Sequence, residues 1–370
     1  MSEEVQPKSF EDLIKDVHEK GLCGECGGCV SFCSASELKA IEMSETGPPR
    51  YINKDNCLHC GICYLICPQT DVMNEELNAK FDYKPPIGNW VKVASSKAVS
   101  SDIVAKATDG GTVTALLVYL LDHNLIDGAI VSMRIGPFMR IPFFAKTREE
   151  LIEASGSHFT MAGQLGELEK YSTFIPTISE LKVILKSDMM NIAMVGTPCQ
   201  IHSLRKMQDL RILPSHVVKY TLGLFCNENF CFDEDSRKKI EEKFGFSFEN
   251  VEKMNIRDEI MIYLKDQGPI NLTFDELKEF ARPACSFCND YSNVYADIAF
   301  GGIGSADGYT TTLIRTSIGQ KIYQDAIQNG YILEPVDQNS GIKKSKMIAK
   351  IMSFSQEKRQ RAESSRRSDA

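Results

Sequence analysis

CGECGGCVSFC at 23–33 and CLHCGICYLICP at 57–68 are two copies of one pattern, C-x2-C-x2-C-x3-C, and the second closes on the proline that such runs carry. Three cysteines at three-residue spacing in a tight loop can surround one face of an iron-sulfur cubane, while the fourth points away and reaches a second cubane. The spacing therefore assigns Cys23, Cys26, Cys29 and Cys67 to one [4Fe-4S] cluster, and Cys57, Cys60, Cys63 and Cys33 to another. Gly24, Gly27, Gly28 and Gly61 let backbone N–H groups come close to the sulfurs. Structural zinc is disfavoured, because such sites bring two separated ligand pairs to a single tetrahedral ion. Ser34 stands where the first copy would often carry proline, which changes the exit turn and not the ligand set. His59, inside the second copy, reads as a loop residue because the cysteines already fill the site.

Working outward, the first 80 residues read as a two-cluster ferredoxin-type unit, preceded by an amphipathic helical stretch from Phe10 to Lys20. FDYKPPIGNW at 81–90 breaks regular structure and marks a boundary, giving a linker over 81–94 with Trp90 as a packing anchor. Beyond it, short β-rich runs alternate with helical runs, so the fold class expected for 95–340 is a mixed α/β or α+β body. Strands are expected at 128–133, 191–196, 216–225, 296–300 and 309–316, and helices at 112–123, 199–208, 234–244 and 317–329. The tail, 341–370, is basic: from 342 on, nine Lys or Arg face three Asp or Glu. It reads either as a solvated or partly disordered helix, or as a docking element for an acidic partner subunit.

Composition narrows the function. The 370 residues are 43% hydrophobic and 25% charged, enough apolar material for a real core. The net charge of -8 argues against phosphate-neutralising nucleic-acid binding. No apolar run reaches bilayer length, and Met1 to Glu19 is acidic and polar rather than signal-like, so a cytoplasmic protein is expected. A reducing compartment keeps thiols free for metal rather than disulfides, which suits 13 cysteines.

Five cysteines lie outside the paired motifs: Cys199 in VGTPCQI, Cys226 and Cys231 in GLFCNENFC, and Cys285 and Cys288 in CSFC. Each falls at a strand end or turn, so Cys199, Cys226, Cys285 and Cys288 can converge on a third cluster, with Cys231 left over; a buried apolar thiol is the competing reading for any one of them. Two glycine-rich stretches add a second chemistry. TDGGTVTALLVYLL at 108–121 sets Gly110-Gly111 before a helix, an arrangement that holds phosphate, and FGGIGSADGYTT at 300–311 permits close backbone approach to a flat ligand. No Rossmann or P-loop signature is present.

TDGGTVTALLVYLLD, GSHF at 156–159, VGTPCQI, GLFCNENF, and CSFCNDY with ADIAFGGIGSADGYTTTLIRT together resemble the beta subunits of coenzyme F(420)-reducing hydrogenase and F(420)H2 dehydrogenase over about 95 to 330. The N-terminal motif pair looks like the version that serves as the electron-input subunit of a larger complex. That resemblance implies FAD, a cubane on Cys199, Cys226, Cys285 and Cys288, and the deazaflavin coenzyme F(420) as substrate. It puts Gly110, Gly111, Thr112 and Thr114 on a flavin phosphate loop, and Gly156, Ser157 and His158 on a second flavin-contacting turn. By the same resemblance, Thr197, Pro198, Asn227 and Asn229, which flank the cluster cysteines, are expected to face the isoalloxazine. His158 and Ala306 depart from what relatives often carry at those positions. The activity implied is hydride transfer between F(420) and FAD, then single electrons through three clusters to or from partner subunits of a redox complex, with no protein acid or base as catalyst. The rivals are a ferredoxin-dependent flavoprotein reductase of an organic substrate, resembling chlorophyll-metabolising relatives, and a relay subunit without flavin.

Overall fold

A computed structural model describes residues 7–35, 38–44, 47–136, 139–156, 191–213, 215–230, 234–265 and 267–368. Ser157, His158 and Cys231 lie outside the described residues.

Near the N-terminus, Ser9 and Asp12 form a capping box that starts a short α-helix, Phe10–Leu13, which continues as a π-helix over Ile14–His18. Its apolar face, Phe10, Leu13 and Val17, packs with Val30 and Ile41. Cys23, Cys29, Cys33, Cys57, Cys63 and Cys67 of the two motifs belong to this small core or pack against it. A two-stranded pair, β1 (Ile41–Glu42) and β2 (Arg50–Tyr51), closes the unit.

The body is an eight-stranded mixed sheet. Its strands are β3 (Lys92–Ala98), β4 (Gly128–Gly136), β5 (Met139–Ala145), β6 (Ile192–Gly196) and β7 (Val218–Leu224), followed later in the chain by three more. Between these sets, β8 (Val251–Ile256), β9 (Ile260–Leu264) and β10 (Gln267–Leu272) form a separate antiparallel sheet with its own core of Phe248, Ile260, Ile262 and Leu277. The large sheet is completed by β11 (Ile298–Gly301), β12 (Thr310–Ile314) and β13 (Ile332–Leu333), in the order β13-β3-β12-β11-β7-β6-β4-β5. The central run β11-β7-β6-β4 is parallel, and antiparallel strands flank it on both sides. Central strands such as IAMVG are buried along their whole length, as strands covered on both faces must be.

The expected strands and helices of the body are present, with bounds shifted by up to three residues. The sequence reading missed β3, β5, β13, the whole three-stranded sheet and the short helices Ser101–Lys106 and Arg148–Glu153. Two readings are corrected. Trp90 is 38% exposed rather than buried as a packing anchor would be, and residues 87–89 are held instead by Arg315, whose guanidinium donates to Ile87 O and Asn89 O, both at 2.8 Å. The basic C-terminal segment is no solvated tail: one helix, Gly341–Ser368, lays the stripe Met347, Ile351, Ser355, Lys358 and Ala362 against the body. Its basic residues alternate with that stripe, so charge counting alone hid the buried face.

Candidate active site

Ligands of sheets with this topology sit beyond the carboxyl ends of the parallel strands, where loops diverge and backbone groups are free. A cleft of about 230 Å³ opens there. One wall is the turn before the helix Thr112–Asp122, where Gly111 takes a left-handed φ of +72°. A Cβ on Gly111 would lie 2.8 Å from Ile103 Cγ2, so a side chain is excluded by space as well as by φ. Below the turn, Ser96 Oγ bonds Thr112 Oγ1 at 3.0 Å and Thr312 Oγ1 at 2.9 Å, and Gly110 N donates to Thr310 Oγ1 at 3.1 Å. These bonds fix the helix N-terminus on β3 and β12.

The cleft gathers Gly111, Thr112, Thr114, Gly156, Thr197, Asn227 and Asn229 of the expected contacts, and reaches Cys226 at its far end. Gly110 and Pro198 do not line it. Gly110 is wedged between Ser96 and Thr310, and Pro198 is the buried first residue of the helix Pro198–Asp209. The hydroxyl of Thr112 is bonded to Ser96, and the helix it opens has no side-chain cap at its N-terminus. Sequence reasoning missed Asp109, Ser132, Glu228 and Arg257, and the aromatic wall of Phe225, Tyr291 and Phe354. Asp109 lies inside the TDGG stretch and could have been found there; Arg257 comes from the turn between β8 and β9 and had no local signal. Its Nη2 meets Asp109 Oδ1 at 2.6 Å, with both side chains largely buried, and its Nη1 meets Asp307 Oδ1 at 2.6 Å.

Behind the cleft, Cys199 follows β6 at the start of its helix, Cys226 follows β7, and Cys285 and Cys288 sit in and just after the 3-10 turn Pro283–Phe287. Asn293 Nδ2 donates to Gly196 O at 2.9 Å and Leu224 O at 3.2 Å, pinning the ends of β6 and β7 together. The four thiols lie close enough to repel one another: Cys226 feels Cys285, Cys199 and Cys288. Asn229 N donates to Cys285 Sγ at 3.2 Å and its Nδ2 to Cys226 Sγ at 3.6 Å; Thr197 Oγ1 is 3.3 Å from Cys199 Sγ.

The motif cysteines gather in the same way. Cys29 interacts with Cys26, Cys23, Cys63 and Cys67, and Cys63 with Cys60, Cys57 and Cys33. A void of about 30 Å³ opens among Cys33, Cys57, Cys60 and Cys63. Cys26 and Cys67 in turn interact with Cys199, and a Cβ placed on Gly24 would be 3.6 Å from Cys199 Sγ, so the first motif abuts the loop after β6. Lys206 Nζ, donating to Cys67 O at 2.7 Å and Thr70 O at 2.9 Å, and the buried pair Arg282–Glu25 at 3.3 Å lock the two parts together.

This donor set suits iron-sulfur clusters. Burial first, and mutual repulsion after it, pushes Cys199 and Cys63 up to about 12. Burial likewise pushes Cys26 and Cys285 up to about 11. Thiols so placed ionise only against a cationic core. No three His, Cys, Asp or Glu side chains among the described residues converge as a single ion requires. A cubane instead takes its four cysteines on separate irons, which suits thiols spread around a void. None of the described cysteines is in a disulfide.

Comparison with known proteins identifies the class. The family model "Coenzyme F(420) hydrogenase/dehydrogenase, beta subunit" matches residues 93–169 with its N-terminal part and 189–338 with its C-terminal part. The beta subunit of the coenzyme F(420) hydrogenase of Methanosarcina barkeri is 31% identical over 69% of this chain and 85% of its own length. The coenzyme F(420)-dependent sulfite reductase of Methanocaldococcus jannaschii is 31% identical over 89% of this chain, which spans 50% of that protein. One subunit of the F(420)H(2) dehydrogenase of Methanosarcina mazei is 25% identical over 84% of each chain. Among solved structures, the F(420)-reducing [NiFe] hydrogenase complex of Methanosarcina barkeri contains a chain that superposes with a TM-score of 0.63 at 29% identity, covering 76% of this chain and 93% of that one. The protein is an oxidoreductase with a mixed α/β fold. It belongs to the coenzyme F(420) hydrogenase/dehydrogenase beta subunit family. Both motif copies precede the residues that the family model matches. Among the described residues no helix is long and apolar enough to cross a membrane.

Proposed function

We propose that this chain exchanges hydride between coenzyme F(420) and FAD and passes single electrons through three [4Fe-4S] clusters to or from a partner redox subunit. The observation that carries the reading is the continuity of one cleft from Gly111 to Cys226, with Cys199 of the same thiol group abutting the first cysteine motif. Bound FAD would supply the conversion between paired and single electrons, which neither a deazaflavin nor a cubane performs alone.

The chain's own residues hold and shield. The helix N-terminus at Thr112 offers free N–H groups to a diphosphate. Phe225, Tyr291 and Phe354 keep water from the inner wall. Asn229 donates to two thiols, which favours the more negative state of the group they hold. Cys199, Cys226, Cys285 and Cys288 would hold the cluster nearest the flavin, Cys23, Cys26, Cys29 and Cys67 the next, and Cys57, Cys60, Cys63 and Cys33 the outermost, where Cys60 is exposed. In this reading residues 1–80 form the ferredoxin-type unit, 81–94 the linker, 95–340 the catalytic body and 341–370 a clamp. The complex works in the cytoplasm, where thiols stay reduced.

Anaerobic stopped-flow absorbance with reduced F(420) tests the reading. Flavin absorbance should fall first and cluster absorbance after it. If neither bleaches, F(420) is not the substrate; if the denatured protein releases no FAD, the cleft has another occupant.

A further inference from the structure

Lysines are almost never fully buried, yet this chain buries two. Lys206 is 0% exposed and Lys358 2%, and no other lysine whose side chain is described is buried. Lys358 projects from the C-terminal helix, and its Nζ donates to Cys226 O at 2.6 Å and Asp290 O at 3.0 Å. Lys206 projects from the helix Pro198–Asp209, of which Cys199 is the second residue, and its Nζ donates to Cys67 O and Thr70 O. Each ammonium is thus held against the main chain of a cysteine, one in the third thiol group and one in the first.

The acids near Lys358 are engaged elsewhere, while Asp71 and Glu76 lie within electrostatic reach of Lys206. The Asp290 carboxylate accepts from Asn293 N at 2.8 Å and Val294 N at 3.0 Å, and Glu228 is paired with Arg361 at 3.3 Å. Lys358 bonds two carbonyl oxygens and no carboxylate.

We propose that Lys358 and Lys206 are positioning residues for electrons: fixed charges that raise the reduction potentials of the clusters held by Cys226 and Cys67, leaving the outermost cluster without such a charge. The inference rests on the three-cluster reading above. Reduction adds one negative charge to a cluster, and a desolvated cation nearby stabilises the reduced form more than the oxidised one, with little screening at such depth. A lysine acting only as a staple between chain segments needs its hydrogen bonds but not its charge, which separates the two roles.

The test is an EPR-monitored redox titration of the anaerobically purified full chain at pH 7, where Lys206, pulled down to about 8 by burial, still carries its proton in most molecules. The third cluster's signal is the one lost in Cys285→Ser. Lys358→Gln keeps an amide donor and removes the charge; its midpoint for that signal should fall by at least about 59 mV, a tenfold drop in the one-electron equilibrium constant. Lys358→Arg should stay near wild type, and Lys206→Gln should move a different signal. Full iron content in Lys358→Gln with an unmoved midpoint overturns the proposal, as does an Arg variant that shifts as far as the Gln variant. If Lys358→Gln loses its cluster, Lys206→Gln decides by the same readout: a lowered midpoint supports the proposal and an unmoved one overturns it. A wild-type protein without any Cys285-dependent signal refutes the cluster reading beneath it instead.

Discussion

The tie between Asp109 and Arg257 joins the three-stranded sheet to the double-glycine turn, and breaking it should loosen that sheet before anything else. Arg257 Nη2 and Nε lie 2.6 and 3.2 Å from Asp109 Oδ1, with side-chain exposures of 14% and 12%. Removing one member of a buried pair costs about 3 to 5 kcal/mol, because a charge is left without its partner. Here the lower figure applies: Asp109 keeps Asn255 Nδ2 at 3.3 Å, and Arg257 keeps the fully exposed Asp307. The sheet has its own core around Ile260 and Phe248, so the loss appears as local opening rather than global unfolding. Arg257→Gln should therefore raise hydrogen exchange of the β8, β9 and β10 amides by roughly a hundredfold, which corresponds to about 3 kcal/mol. Asp109→Asn should do much the same, and the double variant should add little to either. A coupling energy below about 0.5 kcal/mol across that cycle, the level of independent sites, would refute the argument.

Three further outcomes follow from the site. Cys285→Ser should remove about four of about twelve irons per chain while sparing the signals of the two motif clusters, and iron analysis that finds no loss would remove Cys285 from the ligand set. Gly111→Ala adds about 1 to 2 kcal/mol of left-handed strain, together with a contact against Ile103 Cγ2 2.8 Å away, so FAD released on denaturation should fall well below one per chain. His202 is held neutral: burial pulls it down to about 3, and its buried Nε2 has no hydrogen-bond partner among the described residues. The unfolded chain takes up that proton near pH 6.5 and the folded one does not, so stability is lost as pH falls from 6.5 towards 3. In the range below 6.5, His202→Phe should melt at a higher temperature than wild type; an equal acid sensitivity in both proteins would remove His202 from the account.

Much of the body was legible because its signals are local. GAIVSM, NIAMVG and YTTTLIRT are β-branched runs between turn residues, and TVTALLVYLLD follows a glycine pair, so each declares its own backbone preference. The strand KVASSKA did not, since its small and polar residues are buried only once the helix Thr112–Asp122 and the C-terminal helix pack on it and β12 and β13 flank it. The C-terminal helix misled for a related reason: lysines and arginines suggest solvent, but Lys358 finds two carbonyl oxygens beneath it that belong to Cys226 and Asp290, far away in sequence. By itself the sequence determined the two cysteine motifs, because three ligands spaced three residues apart are drawn round one point by the loop that contains them. Only the tertiary structure decided that Cys199, Cys226, Cys285 and Cys288 share a neighbourhood, that the glycine turn opens toward them, and that a lysine from the last helix lies beneath. Those residues meet only once β6 and β7 lie side by side with their carboxyl ends aligned, a pairing specified by burial across the whole sheet rather than by any segment of it.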